Sequence, residues 1–202
     1  MTDAEGSLQA LAELDQITRR LRRECPWDRE QDERSIVPHT VEEAYELADA
    51  AAAGDDEKML DELGDVLFQV LFLALLLEER GKGDLAAVAD GCRLKLIRRH
   101  PHVFGEREAE TAADVVRNWS QIKRDEEQSG DPFGHLPETL PATIYAKKVL
   151  KRARSAGHEW EGPGDDPGER LLAAVRDAVD AGVDPELGLR AAADRYREEV
   201  NG

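Results

Sequence analysis

Leu8, Leu11, Leu14, Ile17 and Leu21 recur at intervals of three and four residues. That spacing gathers apolar side chains on one helical face and predicts an amphipathic helix from Ser7 to about Arg23. It stops before Cys25-Pro26-Trp27-Asp28, because proline disfavours helix at the residue preceding it. A second helix is predicted to begin between Ser35 and Thr40, with Pro38 in its first turn, and to reach about Ala53. Gly54-Asp55-Asp56 then reads as a turn. The third helix, from about Glu57 to Arg80, contains the most apolar run of the chain, Val66 to Leu77, and Gly81 supplies its C-terminal cap.

Asp84 is placed to cap a fourth helix reaching Arg99 and closed by His100-Pro101. Thr111, three residues before Asp114, resembles a capping box opening a fifth helix that runs to about Gln128. From Ser129 to Pro141 the chain is rich in Gly and Pro and reads as a linker. A basic helix from about Ala142 to Ser155, a second Gly/Pro segment from Gly162 to Gly168 and two short helices follow, the last opened by Asp184-Pro185. With few β-branched runs, and with Gly and Pro between segments, the fold class is all-α. The expected organisation is a first domain over 1–130, a linker and connecting helix over 131–168, and a helical segment over 169–202.

Charge narrows the range of partners. Lys and Arg number 27 against 44 Asp and Glu, a formal charge of −17, which repels nucleic acid and anionic membranes. A polyanionic ligand therefore needs a metal or a local basic island. Only two cysteines, Cys25 and Cys92, are present, with no CxxC and no secretory apolar segment at the N-terminus, so a reduced, cytoplasmic setting is expected. The apolar run at 66–77 is shorter than the roughly 20 residues a membrane span requires and reads as a buried core helix.

Carboxylates supply the first candidate chemistry. Glu42, Glu43 and Glu46 fall on one face of the second predicted helix, and Glu62 and Asp65 lie one turn apart on the third. If these helices fold back about Gly54, Glu43 comes level with Asp65 and Glu46 with Glu62, since both pairs are centred on residue 54. Converging like charges beside an apolar core need a cation, and an all-oxygen set favours a hard one, Mg²⁺ or Mn²⁺. Asp65 lies at the mouth of the apolar helix, where an unpaired charge is costly. Two bland readings stand beside this one: solvated acidic faces in an acidic protein, and Glu43 as the capping-box acid of Thr40. A ferritin-type di-iron site needs a Glu-x-x-His pair, and none of the five histidines has a Glu three residues before it.

Between Gly91 and Gly105 the chain has Arg93, Lys95, Arg98, Arg99, His100 and His102 and no acid. Lys95 and Arg99 share a helix face and suit phosphate groups; alternatively these cations neutralise nearby glutamates. Trp119 and Lys123 repeat the four-residue spacing, offering either a base-stacking ring beside a cation or a core tryptophan. Gly81-Lys82-Gly83 follows a helix rather than a strand, which excludes a dinucleotide fold, and the chain has no P-loop, HExxH or GxSxG motif.

Glu42-Glu43-x-x-Glu46 followed by Glu62-x-x-Asp65 resembles the EExxE…ExxD signature of the MazG-type, all-α nucleoside triphosphate pyrophosphohydrolases. Cys25-Pro26-Trp27-Asp28, the stretch from Lys95 to Phe104, and Trp119 with Ile122-Lys123 are similar to MazG sequences too, over about residues 7 to 128. The resemblance implies that Glu43, Glu46, Glu62 and Asp65 hold Mg²⁺, and that Glu42 is a further ligand or a water-positioning residue. It implies that Lys95, Arg98, Arg99, Trp119 and Lys123 face the nucleotide. It further implies hydrolysis of NTPs and dNTPs to monophosphate and pyrophosphate by a homodimer or larger homo-oligomer. Residues 171–200 resemble the tail of a second MazG copy that lacks its EExxE helix, and the helix at Arg195 to Glu199 has Glu where a phosphate-binding Arg is expected. The alternative is a nucleotide-sensing or partner-binding helical module of weak activity.

Overall fold

The computed structural model describes residues 3–127, 131 and 133–202, and every regular element among them is a helix. No helix among the described residues is long and apolar enough to cross a membrane. The chain divides into two compact units, residues 1–96 and 97–202.

The first unit is built on a hairpin of two long antiparallel helices. Its first arm, α3 (Glu33–Ala53), starts earlier than the position of Pro38 suggests. Asp32 and Ser35 form a reciprocal capping box, with Ser35 N donating to Asp32 Oδ1 at 2.9 Å and Asp32 N to Ser35 Oγ at 2.9 Å. Pro38 consequently lies inside the helix. The carbonyl it leaves without an amide donor belongs to Arg34, an exposed residue of the first turn, where water can take its place.

Gly54 ends α3 in the left-handed conformation, φ 67°. The amides of Gly54 and Asp55 donate back to Ala51 and Ala50 at 3.3 and 3.1 Å, a Schellman turn that a residue with a Cβ adopts only under strain. Asp55 caps the second arm, α4 (Asp56–Glu79), by accepting from Lys58 N at 3.0 Å.

The hairpin core is Ile36, Phe72 and Leu76, with Phe68 and Leu73 packed against it. Helix α1 (Asp3–Glu24) lies along α4, but not on the face its leucines predict. Leu8, Leu11, Ile17 and Leu21 remain exposed, whereas Thr18 is fully buried. The acids at the end of α4 select this face: Arg19 bonds Glu78 at 2.6 and 3.0 Å, and Arg22 bonds Glu79 at 2.8 and 2.9 Å. Arg22 also donates to the carbonyls of Asp28 and Gln31 at 2.6 and 3.0 Å, pinning the one-turn helix α2 (Pro26–Glu30). After Gly81, Asp84 caps α5 (Leu85–Arg99) through Ala87 N at 2.8 Å, and α5 has no buried residue.

In the second unit a short helix, α6 (Pro101–Phe104), precedes α7 (Ala112–Glu127). Thr111 and Asp114 make the expected capping box, at 2.9 and 3.2 Å. Gln128, the expected end of this helix, and part of the 129–141 linker lie outside the described residues. Helix α8 (Ala142–Ser155) packs on α9 (Pro167–Asp180) and α10 (Pro185–Asn201). Asp166 and Asp184 are the N-caps of the last two, each followed by a first-turn proline.

Candidate metal centre on the helical hairpin

The hairpin is layered about Gly54. Ile36 meets Phe72 in the core, and two helical turns nearer the bend Glu43 meets Asp65 and Glu62. One carboxylate oxygen from each of these three acids lies within 4.8 Å of the others. The level placement of Glu43 and Asp65 expected from the midpoint at residue 54 is therefore present. Glu43 is half-buried, Asp65 is exposed and Glu62 is 5% exposed.

Burial therefore falls on Glu62 rather than on Asp65, because Glu62 points between the two arms while Asp65 stands at their rim. Its apolar neighbours show the opposite: Leu60 and Leu63 are 71% and 46% exposed. At this point of α4 one acid lies inside and the two leucines beside it outside, against the ordinary preference of both residue types.

The electrostatics follow from this crowding. Burial, then the charge of Asp65 and of Glu46 and Glu62, pushes the Glu43 carboxyl above the ordinary glutamate range. Burial, then Glu46, does the same to Glu62, against the opposing pull of Lys58. Both acids thus lie in surroundings that disfavour their charge unless a cation is near.

Glu46 adjoins the group without belonging to it. Its Oε2 is 3.9 Å from Lys58 Nζ, which also stands 3.7 Å from Glu62 Oε1. Glu42 is exposed on the adjacent rim, 3.6 Å from His39 Nδ1. Because α3 begins at Glu33, Glu43 is far from the helix start, and the role of capping-box acid falls to Asp32 and Ser35 instead.

The donor set fits a small divalent ion. Oxygens bound to Mg²⁺ at 2.0–2.1 Å stand about 3–4 Å apart, so side-chain adjustments of about 1 Å would close the three acids on one ion.

Sequence reasoning left three neighbours of this group without a role. Lys58 is hidden in sequence because a Lys four residues before a Glu looks like a routine surface pair. His39, one turn before Glu43, meets the exposed ring of Trp27 edge-on at 6.1 Å. Gln69, one turn after Asp65, is buried, and its Oε1 has no hydrogen-bond partner among the described residues.

The basic island is divided between the units. Lys95 is exposed on α5 in the first unit. Within the second, Arg98 and Arg99 both bond Glu126, Arg99 Nη2 at 2.7 Å, and hold its carboxyl down to about 2. Trp119 meets His100 edge-on at 5.1 Å and lies 5.9 Å from the Arg99 guanidinium. Lys123 adds to the positive field acting on Lys148. The second unit also has a cavity of about 300 Å³ between α8 and α9, where Arg176 stacks on Trp160 at 5.3 Å.

Comparison with known proteins assigns the hairpin to a family. Residues 31–104 match the MazG nucleotide pyrophosphohydrolase domain. A nucleoside triphosphate pyrophosphohydrolase/pyrophosphatase MazG of Thermotoga maritima is 33% identical over 199 residues, 86% of this chain and 76% of the relative. The chain belongs to the MazG family. The matched domain runs from Gln31 to Phe104 and so contains α3, α4, α5 and every candidate carboxylate, but neither Trp119 nor Lys123. A nucleoside triphosphate pyrophosphohydrolase of Escherichia coli (strain K12) is 41% identical over 139 residues, 67% of this chain. The chain spans 53% of the length of that relative. An uncharacterized 26.1 kDa protein of Streptomyces cacaoi is 40% identical over 195 residues, 94% of this chain and 81% of the relative.

Proposed function

We propose that the chain hydrolyses nucleoside triphosphates, ribo- and deoxyribo-, to the monophosphate and pyrophosphate, using Mg²⁺, or Mn²⁺ in its place, held on the α3–α4 hairpin. The observation that carries this reading is the inverted start of α4, where Glu62 is buried and Leu60 and Leu63 are exposed. An acid buried among like charges, with only a half-exposed lysine 3.7 Å away, is a place that a divalent cation stabilises. Family membership gives the reaction class: the relatives from Thermotoga maritima and Escherichia coli carry the pyrophosphohydrolase name.

In this reading Glu43, Glu62 and Asp65 are the metal ligands, and Glu46 is the fourth. When bound, a divalent ion neutralises phosphate charge and polarises a phosphoryl oxygen. The residues of the chain do the positioning. Glu42 and Glu43 orient the attacking water; its oxygen joins phosphorus as the α–β anhydride bond breaks and pyrophosphate leaves. Lys95 and Arg99 stabilise the departing charge, with Arg98, Trp119 and Lys123 as further nucleotide contacts, a set supported by the sequence resemblance.

Self-association belongs to the same proposal. The stripe of Leu8, Leu11, Ile17 and Leu21 on α1 is exposed, as are Val88, Leu94 and Leu96 on α5, an arrangement suited to burial against a second copy. Light scattering after size exclusion should give a homodimer or larger species, and a monomer at micromolar concentration would overturn this part. We read residues 169–202 as a degenerate second copy, following a first domain that ends near residue 130 and the 131–168 connector.

The deciding experiment is pyrophosphate release from a panel of NTPs and dNTPs, with Mg²⁺ present or chelated, alongside Asp65→Asn. Metal-dependent release lost in the variant is expected. Release that is unaffected by chelation and by the variant would overturn the assignment.

A further inference from the structure

We propose that Lys58 is a built-in counter-ion of the carboxylate centre, holding Glu46 and Glu62 in the metal-free protein and thereby weakening divalent-ion binding by withholding Glu46. This inference rests on the reading of the hairpin as a metal centre.

Lys58 lies one helical turn nearer the bend than Glu62, on the same face of α4, next to the layer in which Glu46 meets Glu62. Its ammonium stands 3.7 Å from Glu62 Oε1 and 3.9 Å from Glu46 Oε2, bridging the two arms. The backbone beneath it is fixed, since Lys58 N is the amide that Asp55 caps at 3.0 Å. The side chain itself is 48% exposed, so it can swing into water without disturbing the hairpin.

The consequence is a competition between two cations for one set of acids. Glu62 belongs both to the three-carboxylate group and to the Lys58 pair. Glu46 belongs only to the Lys58 pair, and it is the one acid of Glu43, Glu46, Glu62 and Asp65 outside the three-carboxylate group. A divalent ion entering this group meets the ammonium's repulsion and must compete with it for Glu62. If Lys58 turns away, Glu46 is freed to become the fourth ligand. A contact through 3.7–3.9 Å, without a close hydrogen bond, is weak enough to be displaced. Partly exposed ion pairs of this kind are worth roughly 1.5- to 5-fold each in an equilibrium constant.

The test is titration calorimetry of the full chain with Mn²⁺ alone, without nucleotide. Lys58→Met should tighten Mn²⁺ binding by about 3- to 10-fold, and Lys58→Arg, which keeps the charge, should not. Adding Glu46→Gln to Lys58→Met should remove the part of the gain that Glu46 supplies, a coupling between Lys58 and Glu46 that a double-mutant cycle isolates. Thermal melts without metal should show Lys58→Met below wild type and Mn²⁺ restoring it, which also reports that the variant folds. Mn²⁺ affinity in Lys58→Met equal to or weaker than wild type would overturn the role of Lys58. Asp65→Asn separates the two levels: wild-type Mn²⁺ affinity in that variant would overturn the metal centre itself, while its loss beside an unchanged Lys58→Met would overturn only the counter-ion.

Discussion

The carboxylate group of the α3–α4 hairpin and three acids of the second unit meet opposite surroundings. In the second unit three acids each have a basic partner. Glu126 takes both Arg98 and Arg99, Asp180 takes Arg154 at 3.0 Å and Asp184 takes Lys147 at 2.6 Å. These hydrogen bonds hold all three carboxyls below their ordinary range. On the hairpin, Glu43, Glu62 and Asp65 face one another, with one lysine at the edge, and the carboxyls of Glu43 and Glu62 are pushed up. Paired acids are part of the scaffold and need no ligand. Acids left to repel one another in a partly buried place hold free energy that a cation can release.

The largest break in that contrast should come from removing a ligand. Asp65→Asn or Glu43→Gln is expected to lower pyrophosphate release by about 100-fold or more while leaving the helical circular dichroism unchanged; turnover within tenfold of wild type in both would remove these acids from the centre. Next is the effect of a divalent ion on stability. Mn²⁺ should raise the melting temperature of the wild-type chain but not that of Glu62→Gln, and an equal rise in both would mean that the ion binds elsewhere.

Without metal the same variant carries a pH signature. A carboxyl whose folded-state pKa lies above its unfolded value adds stability below the ordinary glutamate value, near 4.5, and loses it as pH rises through the raised value. Metal-free Glu62→Gln should therefore melt above wild type at pH 7, with the difference fading toward pH 4. Glu126 should show the reverse. Its folded-state pKa is about 2 against an ordinary 4.5, so its contribution is present above 4.5 and is lost as pH falls toward 2. Glu126→Gln should melt slightly below wild type at neutral pH and match it in strong acid. Smallest of all is Arg154→Ala, which removes an exposed pair and should move the melting temperature by less than about 2 °C; a larger drop would mean that the pair organises the α8–α9 contact.

Much of this was legible in sequence where the cause was local. Glycine at 54, flanked by residues able to cap, fixed the bend, and helical periodicity then placed Glu43 opposite Asp65. Thr111 with Asp114 and Asp184 with Pro185 announced their helix starts for the same reason. What sequence hid depended on partners far along the chain. The leucine stripe of α1 predicts the buried face, yet Arg19 and Arg22 turn a different face toward Glu78 and Glu79, more than 50 residues away. Arg98 and Arg99 look like an unopposed basic island until Glu126, 27 residues beyond Arg99, bonds both. The placement of Asp65 at the start of an apolar run marked a costly site for an unpaired charge, yet Asp65 is exposed and the buried acid is Glu62.

Every layer of the hairpin is counted outward from Gly54, so the centre has an address rather than a set of independently placed residues. Shortening the bend by deleting Ala53 would bring Glu43 level with Gly64, about 100° around α4 from Asp65. Both helices could still form and pack, yet no arrangement of the original acids would converge. The centre is therefore as sensitive to the length of the hairpin as to its side chains, and the left-handed glycine at the bend is the zero mark from which the chemistry is measured.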